Sequence, residues 1–164
     1  MRRPVFRVGC SGESVVMGRI EDKLSSLGEA LPAPKKAVAN YLGCKRSGNT
    51  LYVSGRVSSK RGEVGTDLNV SEAQFAAKEA LLDILAIIKA EIGDLDKIAS
   101  VDKMIGFVRS ASSFTEQPKV VDGASDLLVE LFGEQGRHAR TATGVAQLPF
   151  GAAVQLEMNL RLRD

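Results

Sequence analysis

From residue 154 to 163, apolar and polar positions alternate without a break: Val154, Leu156, Met158, Leu160 and Leu162 fall on one side, Gln155, Glu157, Asn159, Arg161 and Arg163 on the other. A period of two marks a strand with one buried face. Residues 137–147 read as a second extended segment. Leu148-Pro149-Phe150-Gly151 is the corner between the two, since proline cannot continue a ladder and glycine accepts the turn. On the earlier segment Arg140, Ala142, Gly144 and Ala146 share a face that is bare except for one guanidinium, which leaves room above the backbone for a ligand. Such a guanidinium can grip a carboxylate through two parallel hydrogen bonds. On spacing alone the plainer reading, an arginine paired with a nearby acid, carries more weight.

Elsewhere the pattern predicts a short amphipathic helix over residues 18–28, with Ile20, Leu24 and Leu27 inward and Gly28 as its stop. Residues 31–34 (Leu-Pro-Ala-Pro) form a stiff connection. Residues 37–46 read as extended, with Tyr41 among them, and 50–57 as a strand, the pair forming a hairpin about Ser47-Gly48-Asn49. Gly55 within that strand marks a bulge or a close approach. A long helix starts near Ser71, whose spacing to Gln74 suits a capping box, and ends at Gly93. Residues 98–109 are apolar on both faces beyond Lys103 and predict an inner strand; residues 120–132 form a second helix stopped by Gly133. The order β-β-α-β-α-β-β after the first helix implies an α+β fold, one mixed sheet with two helices packed on one face. The other face then needs cover, which a closed oligomer supplies.

Composition narrows the function. The 164 residues suffice for one domain with a real core, and 44% hydrophobic with 26% charged residues is ordinary for a globular chain. No apolar run approaches a membrane span. A net charge of +2, 5% aromatics and no Trp argue against nucleic acid as a partner. Cys10 and Cys44 are not spaced as a metal knuckle or a redox pair, and His138 is the only histidine, so zinc sites and a Ser-His-Asp triad have nothing to be built from. Cys44 beside Lys45 and Arg46 invites a lowered thiol pKa, though packing is the more frequent role of such a residue. Reduced cytoplasmic thiols are the simplest assumption. Met17 opens a run that reads as a natural beginning. Residues 1–16 are therefore expected to be a flexible extension and residues 17–164 the domain.

Several motifs then fall in one order. Tyr41, the run 48–55 (Gly-Asn-Thr-Leu-Tyr-Val-Ser-Gly), and Arg140 nine residues before Pro149 resemble the reactive-intermediate deaminase family (Rid, also called YjgF). Residues 132–140 and 27–32 are similar to its longer subgroup, often labelled endoribonuclease L-PSP-like. The resemblance implies a fold like Bacillus chorismate mutase, homotrimers with a central barrel, and three clefts between subunits. It implies hydrolysis of small 2-imino or enamino acids to 2-keto acids and ammonia without metal or cofactor. In that scheme Arg140 holds the carboxylate, the backbone at Gly55 and Ala142 contacts the substrate, and Tyr41 and Ser54 line the pocket. The family's water-orienting Glu lies fifteen residues after the arginine, and here that position is Gln155, which can hydrogen-bond a water but not take its proton. The chain is therefore expected to be either a deaminase with Gln155 positioning the water, or a non-catalytic trimer that binds a small carboxylate in the same cleft.

Overall fold

The computed structural model describes residues 18–37 and 39–164. In chain order these form α1 (Arg19–Ser26), β1 (Cys44–Ser47), β2 (Thr50–Val57), α2 (Val70–Ile92), β3 (Ile98–Arg109), α3 (Gln117–Phe132), β4 (Ala139–Val145) and β5 (Val154–Leu162). The extension expected over residues 1–16 lies outside the described residues. The alternating C-terminal stretch is β5, and its apolar set is fully enclosed: Val154, Leu156 and Leu160 are 0% exposed. Each such side chain contributes about 1.5–3 kcal/mol of burial, which pins the register, because a slip of one residue would turn the whole set outward.

The strands form one mixed sheet in the order β1-β2-β5-β3-β4. β5 is antiparallel to both β2 and β3, and β4 runs parallel to β3 at the far edge. β3 is thus the inner strand that its two apolar faces predict. α2 and α3 cover one face, burying Ala76, Ala80, Ile84, Val120, Ala124 and Leu128 against it. α1 is tied to the turn after α2, where the Asp96 carboxylate accepts from the backbone N–H groups of Arg19 and Ile20. The opposite face carries Tyr52, Ile105, Phe107, Gln155 and Glu157, and among the described residues no helix lies over it.

Three expectations change. Residues 39–43 form a bend, so Tyr41 stands on a loop and the hairpin begins only at Cys44. The reason is local: the Ser54 hydroxyl donates to the Leu42 carbonyl at 2.6 Å and the Ser54 N–H to the Gly43 carbonyl at 2.9 Å, which ties residues 42 and 43 to β2 without extending the ladder to Tyr41. The cap of α2 is Asn69 with Glu72, a reciprocal pair at 2.9 and 3.0 Å, not Ser71 with Gln74. Gln74 instead donates to the Lys119 carbonyl at 2.8 Å and joins α2 to α3. α3 starts three residues earlier than its apolar stripe suggests, at Gln117 with Pro118 in the first turn, where proline's missing N–H costs nothing.

That helix pair is close because Gly123 has no side chain. A Cβ there would lie 2.2 Å from the Gln74 carbonyl oxygen. Gly123→Ala gains helix propensity but must push two backbones apart. The expected net loss is about 2 kcal/mol, read as a melting temperature lower by roughly 4–8 °C in calorimetry.

Candidate functional site

Gln155 projects from the start of β5, on the face away from the helices, opposite Val57 of β2 and Phe107 of β3. The β2–β5 register breaks between Val53 and Arg56, and Gly55 sits within that bulge. A Cβ at Gly55 would lie 2.8 Å from Gln155 Nε2, so only glycine lets the amide lie across the strand. Tyr41, 44% exposed, closes over the same place from its loop. Tyr41, Gly55 and Gln155, with Arg56, Asp83 and Phe150, line a cavity of about 400 Å³. Phe150 stands at its rim, 72% exposed with φ 61°, a backbone region that costs a bulky residue about 1–2 kcal/mol.

Ser54 is adjacent but does not line this cavity. Its hydroxyl is spent on the Leu42 carbonyl, so it fixes the loop that carries Tyr41. Glu157, two residues along from Gln155, pairs with Ile105 and also lies outside the cavity lining.

Arg140 and Ala142 are elsewhere. Both sit on β4, the far edge strand, in register with Met104 and Gly106 of β3. Met104 faces the helices, and Arg140 follows it onto that side. Its Nη1 donates to Asp122 Oδ1 at 2.7 Å and to Ser125 Oγ at 3.1 Å, both on α3. The plainer expectation for this arginine thus holds within one protomer. The pairing occupies one nitrogen. Nε and Nη2, the edge that takes a carboxylate in a two-bond grip, have no hydrogen-bond partner among the described residues. Ser125 in turn lies 3.0 Å from His138 Nε2, and His138 Nδ1 lies 2.7 Å from the Gly136 carbonyl. With Nδ1 carrying the proton and Nε2 accepting from Ser125, both His138 and Ser125 are satisfied and the Nη1 side of Arg140 is held in place. Ala142 lines a separate cavity with Ser110 and Gln117.

The expected site residues therefore fall into two groups. Gln155 and Arg140 are separated by β3, about 10 Å across the sheet and about 10 Å along it, and lie on opposite faces. One protomer cannot bring them onto one small molecule.

Sequence reasoning missed Asp122 and Ser125, and it missed the cations Lys36, Arg56 and Arg61 around Gln155. The spacing of three between Asp122 and Ser125 on α3 was visible. What faces it across the sheet edge was not.

Cys44 is 6% exposed under α2, and burial, reinforced by the Glu91 carboxylate and only partly offset by Arg56, pushes its thiol up to about 11. The lowered value invited by Lys45 and Arg46 is not what the fold produces, and packing is the role the burial supports. At pH 7 about one Cys44 in ten thousand is thiolate. In a Cys10→Ser background Cys44 should react with a thiol reagent far more slowly folded than in denaturant, with the folded rate climbing until pH passes about 11. Among the described residues no helix is long and apolar enough to cross a membrane, and no group of three or more His, Cys, Asp or Glu side chains is placed to hold a metal.

The family described as "YjgF/chorismate mutase-like, putative endoribonuclease" matches residues 21–158. Protein TCP17 of Trypanosoma cruzi is 43% identical over 157 residues, 92% of this chain and 98% of that protein. The crystal structure of Atu1372 from Agrobacterium tumefaciens, a protein of unknown function, is 44% identical over 88% of this chain and 92% of its own, with a TM-score of 0.83. A more distant structure, RidA from an Antarctic Psychrobacter, is 26% identical over 79% of this chain and 94% of its own, with a TM-score of 0.55.

Proposed function

The chain belongs to the YjgF/chorismate mutase-like family, with the Rid/YjgF fold, and from that premise we propose that it hydrolyses small 2-imino acids to 2-keto acids and ammonia in a cleft between two copies of itself. Family membership supports a small-molecule deaminase or a related role. The observation that carries the finer reading is the split of the site. The cavity at Tyr41, Gly55 and Gln155 lacks Arg140, the residue expected to hold the substrate's 1-carboxylate, while the open Nε–Nη2 edge of Arg140 lies outside that cavity. Setting the β4 edge of one copy against the β2–β5 end of the next completes both. Closure by rotation gives a ring, and a homotrimer with the uncovered sheet face turned inward buries Tyr52, Ile105 and Phe107.

The chemistry asked of such a cleft is modest. A protonated imine carbon is already electrophilic. Water adds to it, the C–N bond breaks, and the two new protons leave on nitrogen, so that R–C(=NH2⁺)–COO⁻ and H2O become R–C(=O)–COO⁻ and NH4⁺. Arg140 fixes the carboxylate, and with it the carbon; Gln155 holds the attacking water through its amide. Tyr41 closes the cavity. Neither step calls for a cofactor.

The alternative is a non-catalytic trimer that binds a small carboxylate, and one observation favours it. The position that would take a proton from water is an amide, and the carboxylate that does line the cavity, Asp83, is held by Lys35 at 2.5 Å. A coupled assay decides between them. An L-amino acid oxidase generates a 2-imino acid while semicarbazide competes for it, and the protein is added. Loss of semicarbazone in proportion to protein supports the deaminase; unchanged semicarbazone together with measurable binding of 2-oxobutyrate supports the binding protein.

A further inference from the structure

Four cationic side chains, Lys35, Lys36, Arg56 and Arg61, line the Gln155 cavity together with one acid, Asp83. Lys35 and Asp83 neutralise each other at 2.5 Å. Three positive charges remain around a space of about 400 Å³, and Arg140 is not among them.

Arg56 is the informative one. It follows the Gly55 bulge, opposite Leu156, and so turns to the helix side, where residues 35–37 and 42–43 line a cavity with it. Its Nε and Nη2 are buried and have no hydrogen-bond partner among the described residues. Glu91 lines the adjoining cavity with Arg56, yet makes no ion pair with it. Gly43 leaves space for the guanidinium: a Cβ there would lie 3.1 Å from Nη2. Burying charged donors with no acceptor costs stability, and an anion that reached this guanidinium would offset that cost. Lys36 and Arg61, both exposed, stand around the same cavity and raise its attraction for an anion.

We propose that this cavity binds a second anionic group of the ligand, through Arg56 with Lys36 and Arg61 beside it, so that the preferred ligand carries two anions: a 2-imino or 2-keto carboxylate for Arg140, and a carboxylate or phosphate at its other end. The inference rests on the reading above for the first carboxylate, and adds the substrate class. A chain that kept only Arg140 would take small monocarboxylates. This one is built for a diacid or a phosphorylated acid.

The test measures binding, not turnover, so that it stands apart from the deaminase question. Calorimetry on the full chain compares 2-oxobutyrate, 2-oxoglutarate and 3-phosphohydroxypyruvate. The expected result is at least one dianion bound about tenfold tighter than the monoanion, with a preference that shrinks as salt is raised. Which of the two dianions wins identifies the second group. Arg56→Gln should bring the ratio of the two affinities to about one. Should that variant misfold, Arg61→Gln at the exposed rim should narrow the ratio by a few-fold with an unchanged melting temperature. Equal affinities for all three ligands in the wild type, no binding of any, or an equal loss for all three in a folded Arg56→Gln would each overturn the proposal. Tight dianion binding without imine hydrolysis would keep it and remove the deaminase reading.

Discussion

Arg140→Ala is expected to lower imine hydrolysis and 2-oxobutyrate binding by a hundredfold or more, about 3 kcal/mol, while the melting temperature hardly moves. The two halves of this expectation come from different parts of one network. The guanidinium spends Nη1 on Asp122 and Ser125 and keeps its other edge open, so truncation removes the carboxylate grip entirely. The partners it leaves behind are not stranded. Asp122 is 43% exposed and rehydrates, and Ser125 keeps its bond to His138. A half-exposed ion pair of this kind contributes little to folding, so the protein stays folded. Kinetic analysis of the coupled assay, run beside a thermal melt, checks both. A variant that melts early would instead make Arg140 a structural residue.

Gln155→Glu is expected to raise imine turnover by about a hundredfold. Gln155 reaches the cavity over Gly55, whose missing Cβ leaves 2.8 Å to the amide nitrogen, and a carboxylate of the same length occupies the same place. It adds what the amide lacks, a base able to take the proton of the attacking water. The gain should depend on pH with a definite sign. Only the ionised carboxylate acts, so the variant's advantage is full at neutral pH and is lost as pH falls through the ordinary glutamate range near 4. The wild type, with no titrating group at residue 155, should show no such fall. A variant no faster than the wild type at neutral pH would mean that residue 155 does not touch the attacking water.

Much of this fold is legible in the sequence. The period-two alternation over 154–162 names β5 and its buried face outright, because a strand buried on one side leaves no other pattern. The two-sided apolar run of 98–109 names an inner strand, and Gly55 names the bulge. Where local chemistry competes, the pattern is weaker. Ser71 and Asn69 both offer a cap two residues apart, and only the return bond from Glu72 decides between them. Tyr41 reads as part of a strand because nothing near it in sequence announces that Ser54, thirteen residues on, will hold its loop by the Leu42 carbonyl. Tyr41, Gly55 and Gln155, offered together by the sequence, line one cavity; that Arg140 and Ala142 stand away from it was not legible. Arg140 and Gln155 are fifteen residues apart along the chain, and only the order β5-β3-β4 puts a strand between them and turns them to opposite faces. Arg56 was hidden for a related reason: an arginine on a strand reads as surface until the bulge beside it turns the side chain inward.

If neighbouring copies each supply half of one site, mixing subunits that lack opposite halves restores it. Arg140→Ala removes the grip from one half, and Gly55→Val fills the other beside Gln155; each variant alone should bind no 2-oxobutyrate. In a closed ring assembled at random from equal amounts, one contact in four joins an intact Arg140 to an intact cavity, so the co-refolded mixture should regain about one quarter of the wild-type sites. A mixture that binds nothing, with both variants folded and assembled, would contradict the shared cleft.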